Sequence, residues 1–161
     1  MKTLIHSCYT NTPGMAAWPI ALLRISVGIM FLIACYPKII AGADWPGRML
    51  GFLKFQADKS YPFYRDALET LVIPNAEVFA YLVAYGELAV GISLVFGIAT
   101  RLGAGAGLFM VTNFLLAKGG AFWVPSANDP MYILALITLL FSNAGLVLGF
   151  DGYRAANKPL Q

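Results

Sequence analysis

The segment Tyr81–Ala99, YLVAYGELAVGISLVFGIA, carries one formal charge, Glu87, in a run otherwise apolar or small. At about 1.5 Å of rise per residue, such a run crosses the roughly 30 Å hydrocarbon core of a bilayer. A carboxylate at that depth costs a few kcal/mol or more unless it faces other protein, takes up a proton or meets a cation. The chain is therefore expected to be a membrane protein whose helices enclose something polar.

Composition supports this independently. Of the 161 residues, 59% are hydrophobic and 12% charged, with a mean hydropathy of +0.70. Soluble domains run nearer 45–50% apolar and about 25% charged. The formal charge of +3 is small and scattered. It does not argue for nucleic acid, which is not expected as a partner, and fits the Lys and Arg that flank membrane spans. The length accommodates one membrane domain, residues 1–161, and no second one.

Four apolar runs stand out, at about Ala16–Tyr36, Phe79–Ala99, Leu102–Ala117 and Met131–Phe150. They predict an all-α, integral membrane four-helix bundle. The third run is short, so its ends borrow from Thr100 and from Lys118, which can snorkel. The residues before the first run carry only Lys2 as a fixed charge, and the run exceeds a secretory h-region. It reads as a retained span. Cys8 and Cys35 fall near its opposite ends and are not expected to pair. His6 and Cys8 make a lone H-x-C, and no CxxC, CxxCH or His/Cys cluster points to a metal or a covalently bound cofactor.

Spans two and three are joined through Thr100 and Arg101 in a tight helical hairpin. About forty residues separate spans one and two. Within them Phe63, Tyr64, Ala67, Leu68, Leu71 and Val72 alternate with Arg65, Asp66, Glu69 and Thr70 at helical spacing. Residues 62–73 thus predict an amphipathic helix between Pro62 and Pro74, lying at the interface or on a partner. Arg48–Phe55 predicts a shorter one. The loop Gly119–Pro130 shares that face, with Phe122 and Trp123 as interfacial aromatics and Asp129-Pro130 as a helix start, Asp at the N-cap. One face therefore carries the loops, where partner subunits would dock, and the other the tails and the Arg101 turn. The bare Arg101 in that turn places both termini on the cytoplasmic side.

Counted along the helices, Arg24, Glu87, Asn113 and Asn143 lie roughly 12, 18, 16 and 12 Å from the tight-turn face. Each span thereby contributes one polar side chain to a common layer, and Arg24 is the expected ion-pair partner of Glu87. Two readings of that layer stand. It is either interhelical glue, or the wall of a site for a polar head group such as a quinone ring, or for a proton path. Ala89/Ser93/Gly97, Gly103/Gly107 and Gly145/Gly149 form small-xxx-small rows for close helix packing. Gly103, Gly105 and Gly107 give G-x-G-x-G inside an apolar span, which is not a nucleotide loop.

LLRISVGIMFL followed by Lys38, and GELAVGISLVFGIATRLGAGAGL from Gly86 to Leu108, resemble the DoxX/DoxD family of small four-helix membrane proteins. The late stretch GLVLGFDGYR is similar to the family's C-terminal end. The resemblance implies a prokaryotic cytoplasmic-membrane protein similar to the small subunit of thiosulfate:quinone oxidoreductase. It implies a quinone-associated role with Arg24, Lys38, Glu87 and Arg101 as the carried-over positions, and a redox partner chain. Two alternatives stay open: an accessory subunit of a respiratory or photosynthetic assembly, and a small proton-coupled transporter using Glu87. The catalytic candidates are Glu87 and Arg24. The substrate-binding candidates are Arg24, Lys38, Glu87, Arg101, Asn113 and Asn143.

Overall fold

The computed structural model describes residues 18–119 and 128–157, and among these the regular elements are all helical. Helix α1, Trp18–Ala41, runs through a short 3-10 turn, Gly42–Asp44, into α2, Trp45–Ala57. Helix α3, Pro62–Ala67, continues as a π turn over Leu68–Val72. Helices α4, Ala76–Phe96, and α5, Thr100–Lys118, form the tight hairpin. Helix α6, Asp129–Phe141, is followed by a 3-10 turn, Ala144–Leu146, and by α7, Phe150–Ala156. Three helical stretches among the described residues are long and apolar enough to span a membrane: Trp18–Ala57, Ala76–Phe96 and Thr100–Lys118. Ile29, Ile33, Leu82, Ile92, Phe109 and Ile137 are exposed on the outer faces, where they suit lipid. The chain is an integral membrane protein.

The bundle pairs α1 with α4 and α5 with both α4 and α6. Its core combines Val27 and Phe31 of α1, Val90 and Leu94 of α4, Val111 of α5 and Leu136 and Leu139 of α6. Two glycines set the α1–α4 register. A Cβ on Gly28 would stand 2.8 Å from Val95, and one on Gly91 would strike Leu32 at 2.6 Å. The two backbones are close because nothing projects between them, the small-residue logic of membrane packing. The antiparallel register that follows brings Arg24 level with Gly97.

The fourth run departs from expectation. It forms a 13-residue helix that ends at Phe141, not a span reaching Phe150. Ser142 is extended, and the chain turns back through Ala144–Leu146. Gly145 and Gly149 accordingly are not a membrane packing row. They lie in this C-terminal segment, which folds against the α4–α5 turn, with Gly145 on Thr100 and Gly149 on Arg24. Helix α6 starts one residue earlier than the motif predicts, with Asn128 at the N-cap and Asp129 inside the first turn.

At the opposite, loop-rich end, α2 and α3 form a roof over α4 and α5. Leu53, Leu68 and Ala117 are its buried core, with Met49, Tyr64 and Val72 packed around them. The apolar side of residues 62–73 is thus divided. Leu68 is 1% exposed and packs on this protein, whereas Phe63 and Leu71 remain outside. One further bond anchors the roof to α4, and another ties its two helices together. The Trp45 indole N–H donates to the Ala80 carbonyl at 2.9 Å, and Arg65 Nε donates to the carbonyl of Ala57 at 3.0 Å. His6, Cys8, Phe122 and Trp123 lie outside the described residues.

Candidate functional site

Glu87 occupies the middle of α4 and is 2% exposed. Its partner is Lys38, not Arg24: Lys38 Nζ forms an ion pair and hydrogen bond with Glu87 Oε1. The α1–α4 register explains the correction. Arg24 is level with Gly97, ten residues further along α4, which is about 15 Å of helix. Counting depth from the ends of the apolar runs assumed that both helices start in one plane. Helix α1 in fact extends past the α4–α5 turn, so Arg24 sits lower than its residue count implies.

The four polar residues therefore do not form one layer. Lys38 and Glu87 make a pair on the loop-rich side. Arg24 and Asn143 belong to the tight-turn end. Arg24 is fully buried, and its Nη2 donates to the Leu148 carbonyl at 3.0 Å. Arg101 Nη2 donates to Asn143 Oδ1 at 2.9 Å, on the exterior. Asn113 receives the Tyr64 hydroxyl at 2.7 Å, which ties α5 to the roof. Burial holds the Tyr64 phenol above its usual pKa. Of the six substrate-binding candidates, Lys38 meets Glu87 and Arg101 meets Asn143 at the other end, Arg24 meets none of the other five, and Asn113 lines the cavity next to Lys38 and Glu87.

Lys38 and Glu87 stand where two cavities meet. One, about 360 Å³, is lined by Lys38, Trp45, Phe52, Val83, Glu87 and Phe114, among others. The second, about 230 Å³, is lined by Met30, Phe31, Glu87, Phe114, Asp129 and Tyr132, among others. Glu87 and Phe114 belong to both walls. The ammonium also lies 5.4 Å from the centre of the Trp45 ring and 5.8 Å from that of Phe114, within cation–π range. Glu87 Oε2 is buried and has no hydrogen-bond partner among the described residues. Such a lone pair in apolar surroundings is costly, and a ligand or water that donates to it recovers the loss. The arrangement offers one cationic donor, one carboxylate with spare acceptor capacity and two aromatic walls.

The DoxX family model matches residues 19–119. The chain belongs to the DoxX family. The match spans α1 to the end of α5 and so takes in Lys38, Glu87, Trp45 and Phe114 of this DoxX protein, but not Asp129 and Tyr132 of α6 or the C-terminal segment. Comparison with curated proteins and with solved structures found no match.

Sequence reasoning named Lys38 and Glu87 but not Trp45, Phe114 or Tyr132. Trp45 was legible in part, since a Trp-Pro pair soon after an apolar run marks an element start near the interface. Phe114 carries no signal of its own among eleven phenylalanines. Among the described residues, no group of three or more His, Cys, Asp and Glu is placed to hold a metal, and Cys35 is a buried free thiol.

Proposed function

We propose that this DoxX protein is the membrane subunit of a quinone-linked redox complex, with Lys38 and Glu87 holding the quinone head group. The observation that carries the reading is the ion pair between the half-buried Lys38 and the buried Glu87 beside two cavities, with one carboxylate oxygen unpartnered and aromatic rings on both sides. A quinone is a flat ring with two carbonyl acceptors and two proton demands. The Lys38 ammonium suits one carbonyl as a charge-assisted donor. Glu87, ionised beside Lys38, would first take up a proton from the loop-rich side and then pass it to an oxygen of the ring as it is reduced. Trp45 and Phe114 would stack against the ring and exclude water. The quinone supplies the redox chemistry. Electrons come from a partner chain, for which the exposed Phe63 and Leu71 of the roof are the docking surface favoured here. The site would lie in a prokaryotic inner membrane, with the tight-turn face towards the cytoplasm.

The test is purification in mild detergent followed by extraction and mass spectrometry of bound lipid-soluble molecules. A quinone recovered from the wild type and lost from Lys38→Met, with the fold retained, supports the reading. Glu87→Gln should keep the complex assembled and lower quinone-linked turnover about 10²-fold or more, the usual worth of a positioned proton donor. If that substitution loosens the bundle and leaves turnover per folded molecule unchanged, the pair is interhelical glue.

A further inference from the structure

Two further cavities extend from the head-group site along the α4–α5 seam. The first, about 310 Å³, shares Met49, Leu53, Val83, Phe114 and Ala117 with the Lys38 cavity. The second, about 570 Å³, shares Gly86, Ala106 and Met110 with the first and continues to Ile98 and Leu102 beside the tight turn. Apart from Tyr64, Asn113 and Ser93, the side chains along both are apolar. The seam is shallow where it is lined by Gly86, Ala89 and Ala106, while Gly103 lets α5 approach Ser93 of α4 closely. Ala89 and Ala106 are exposed, so nothing in the fold requires them to be small. From Gly86 to Ile98 the groove follows twelve residues of α4 and its turn, about 18 Å.

We infer that this groove holds the prenyl tail of the quinone, so that the substrate class is a long-tailed membrane quinone seated with its tail between α4 and α5. The inference rests on the head-group reading above. The shared walls make the tail the occupant. The ring position beside Glu87 is continuous with the groove, and the buried, unpartnered Glu87 Oε2 marks its polar end. Lipid hydrocarbon is as apolar as the groove, so its role is to orient the ring rather than to add much affinity.

Two photoreactive probes test this on the full chain in nanodiscs of phosphatidylethanolamine and phosphatidylglycerol. One is a benzoquinone with a diazirine at the end of a prenyl chain, the other a tailless azidobenzoquinone. The chain-end probe should label α4 and α5 between Ser93 and Leu102. Ala106→Phe, and separately Ala89→Leu on the opposite wall, should remove most of that label and leave ring labelling at Trp45 or Phe114 unchanged. Chain-end label spread over the outer faces of α1 and α6 and insensitive to both substitutions, with the ring still labelled, overturns the groove and leaves the head site standing. Absence of ring labelling overturns both.

Discussion

At the scale of single residues, the buried charges are the most consequential groups. Lys38→Ala strands the Glu87 carboxylate in an apolar interior, and breaking a buried pair from one side typically costs about 3–5 kcal/mol. Replacing both partners, as Lys38→Met with Glu87→Leu, should cost much less and lie near the wild type in thermal unfolding. A double substitution as damaging as the single one would show that the pair's worth is not in neutralising charge. Asp151 offers a pH-dependent counterpart. Burial alone would raise its pKa, but its two oxygens accept from Thr100 N and Ala99 N, both at 2.9 Å, and the net shift is downward. A depressed folded-state pKa stabilises the fold above the ordinary carboxylate range, and this contribution disappears as pH falls through the lowered value. Melting temperature should therefore fall on acidification below the usual aspartate pKa. Asp151→Asn should be less stable at neutral pH by about 1 kcal/mol, the worth of a helix cap, and should lose that part of the acid sensitivity.

Among the elements, the α1–α4 contact governs where side chains meet. Gly28 has Val95 and Leu94 within 3.0 Å of where a Cβ would lie. Gly28→Val should separate these helices and cost about 1–3 kcal/mol of overpacking, visible as a lower denaturation midpoint. It should also weaken the Lys38–Glu87 pair, which depends on the same register. That register was the part of the site hidden in the sequence. The helices were legible because Tyr81–Ala99 and its counterparts can hardly be anything else in a chain this apolar. The amphipathic helix over residues 62–73 was legible from its spacing. Which cation meets Glu87 was not, because the offset between α1 and α4 is set by Gly28 and Gly91 fitting into Val95 and Leu32. Neither glycine announces its partner. The break after Phe141 was hidden for a related reason. Gly145 and Gly149 are as compatible with close packing in a span as with the turn they make.

For the molecule as a whole, the helices differ in reach. Helix α6 rises about 20 Å over its 13 residues, short of a roughly 30 Å hydrocarbon core. Its exposed Phe141 is followed by the C-terminal segment rather than by further apolar helix. The bilayer beside α6 has to thin locally, or the segment after it must be drawn inward. Reconstituted protein should thus melt at higher temperature in short-chain than in long-chain phosphatidylcholine. A flat response across chain lengths would mean that α6 is shielded from lipid.

The tight-turn end closes with Arg24 held by the Leu148 carbonyl and Asp151 held by Ala99 and Thr100. It also contains Ala99 and Leu148, the two non-glycine residues with positive φ among those described. Left-handed backbone at such residues costs roughly 1–2 kcal/mol each, and the two bonds that Asp151 accepts from Ala99 and Thr100 help to offset it. This clasp has a consequence for biosynthesis. Arg24 enters the membrane early, yet its acceptor is made only after residues 25 to 147. Until then the growing chain carries a cation in helix α1 without the acceptor that the C-terminal turn supplies, the Leu148 carbonyl. Release of a prematurely stopped polypeptide would leave that cation exposed to a surveillance protease, so turnover in pulse-chase should separate chains ending before Leu148 from those that reach Asp151.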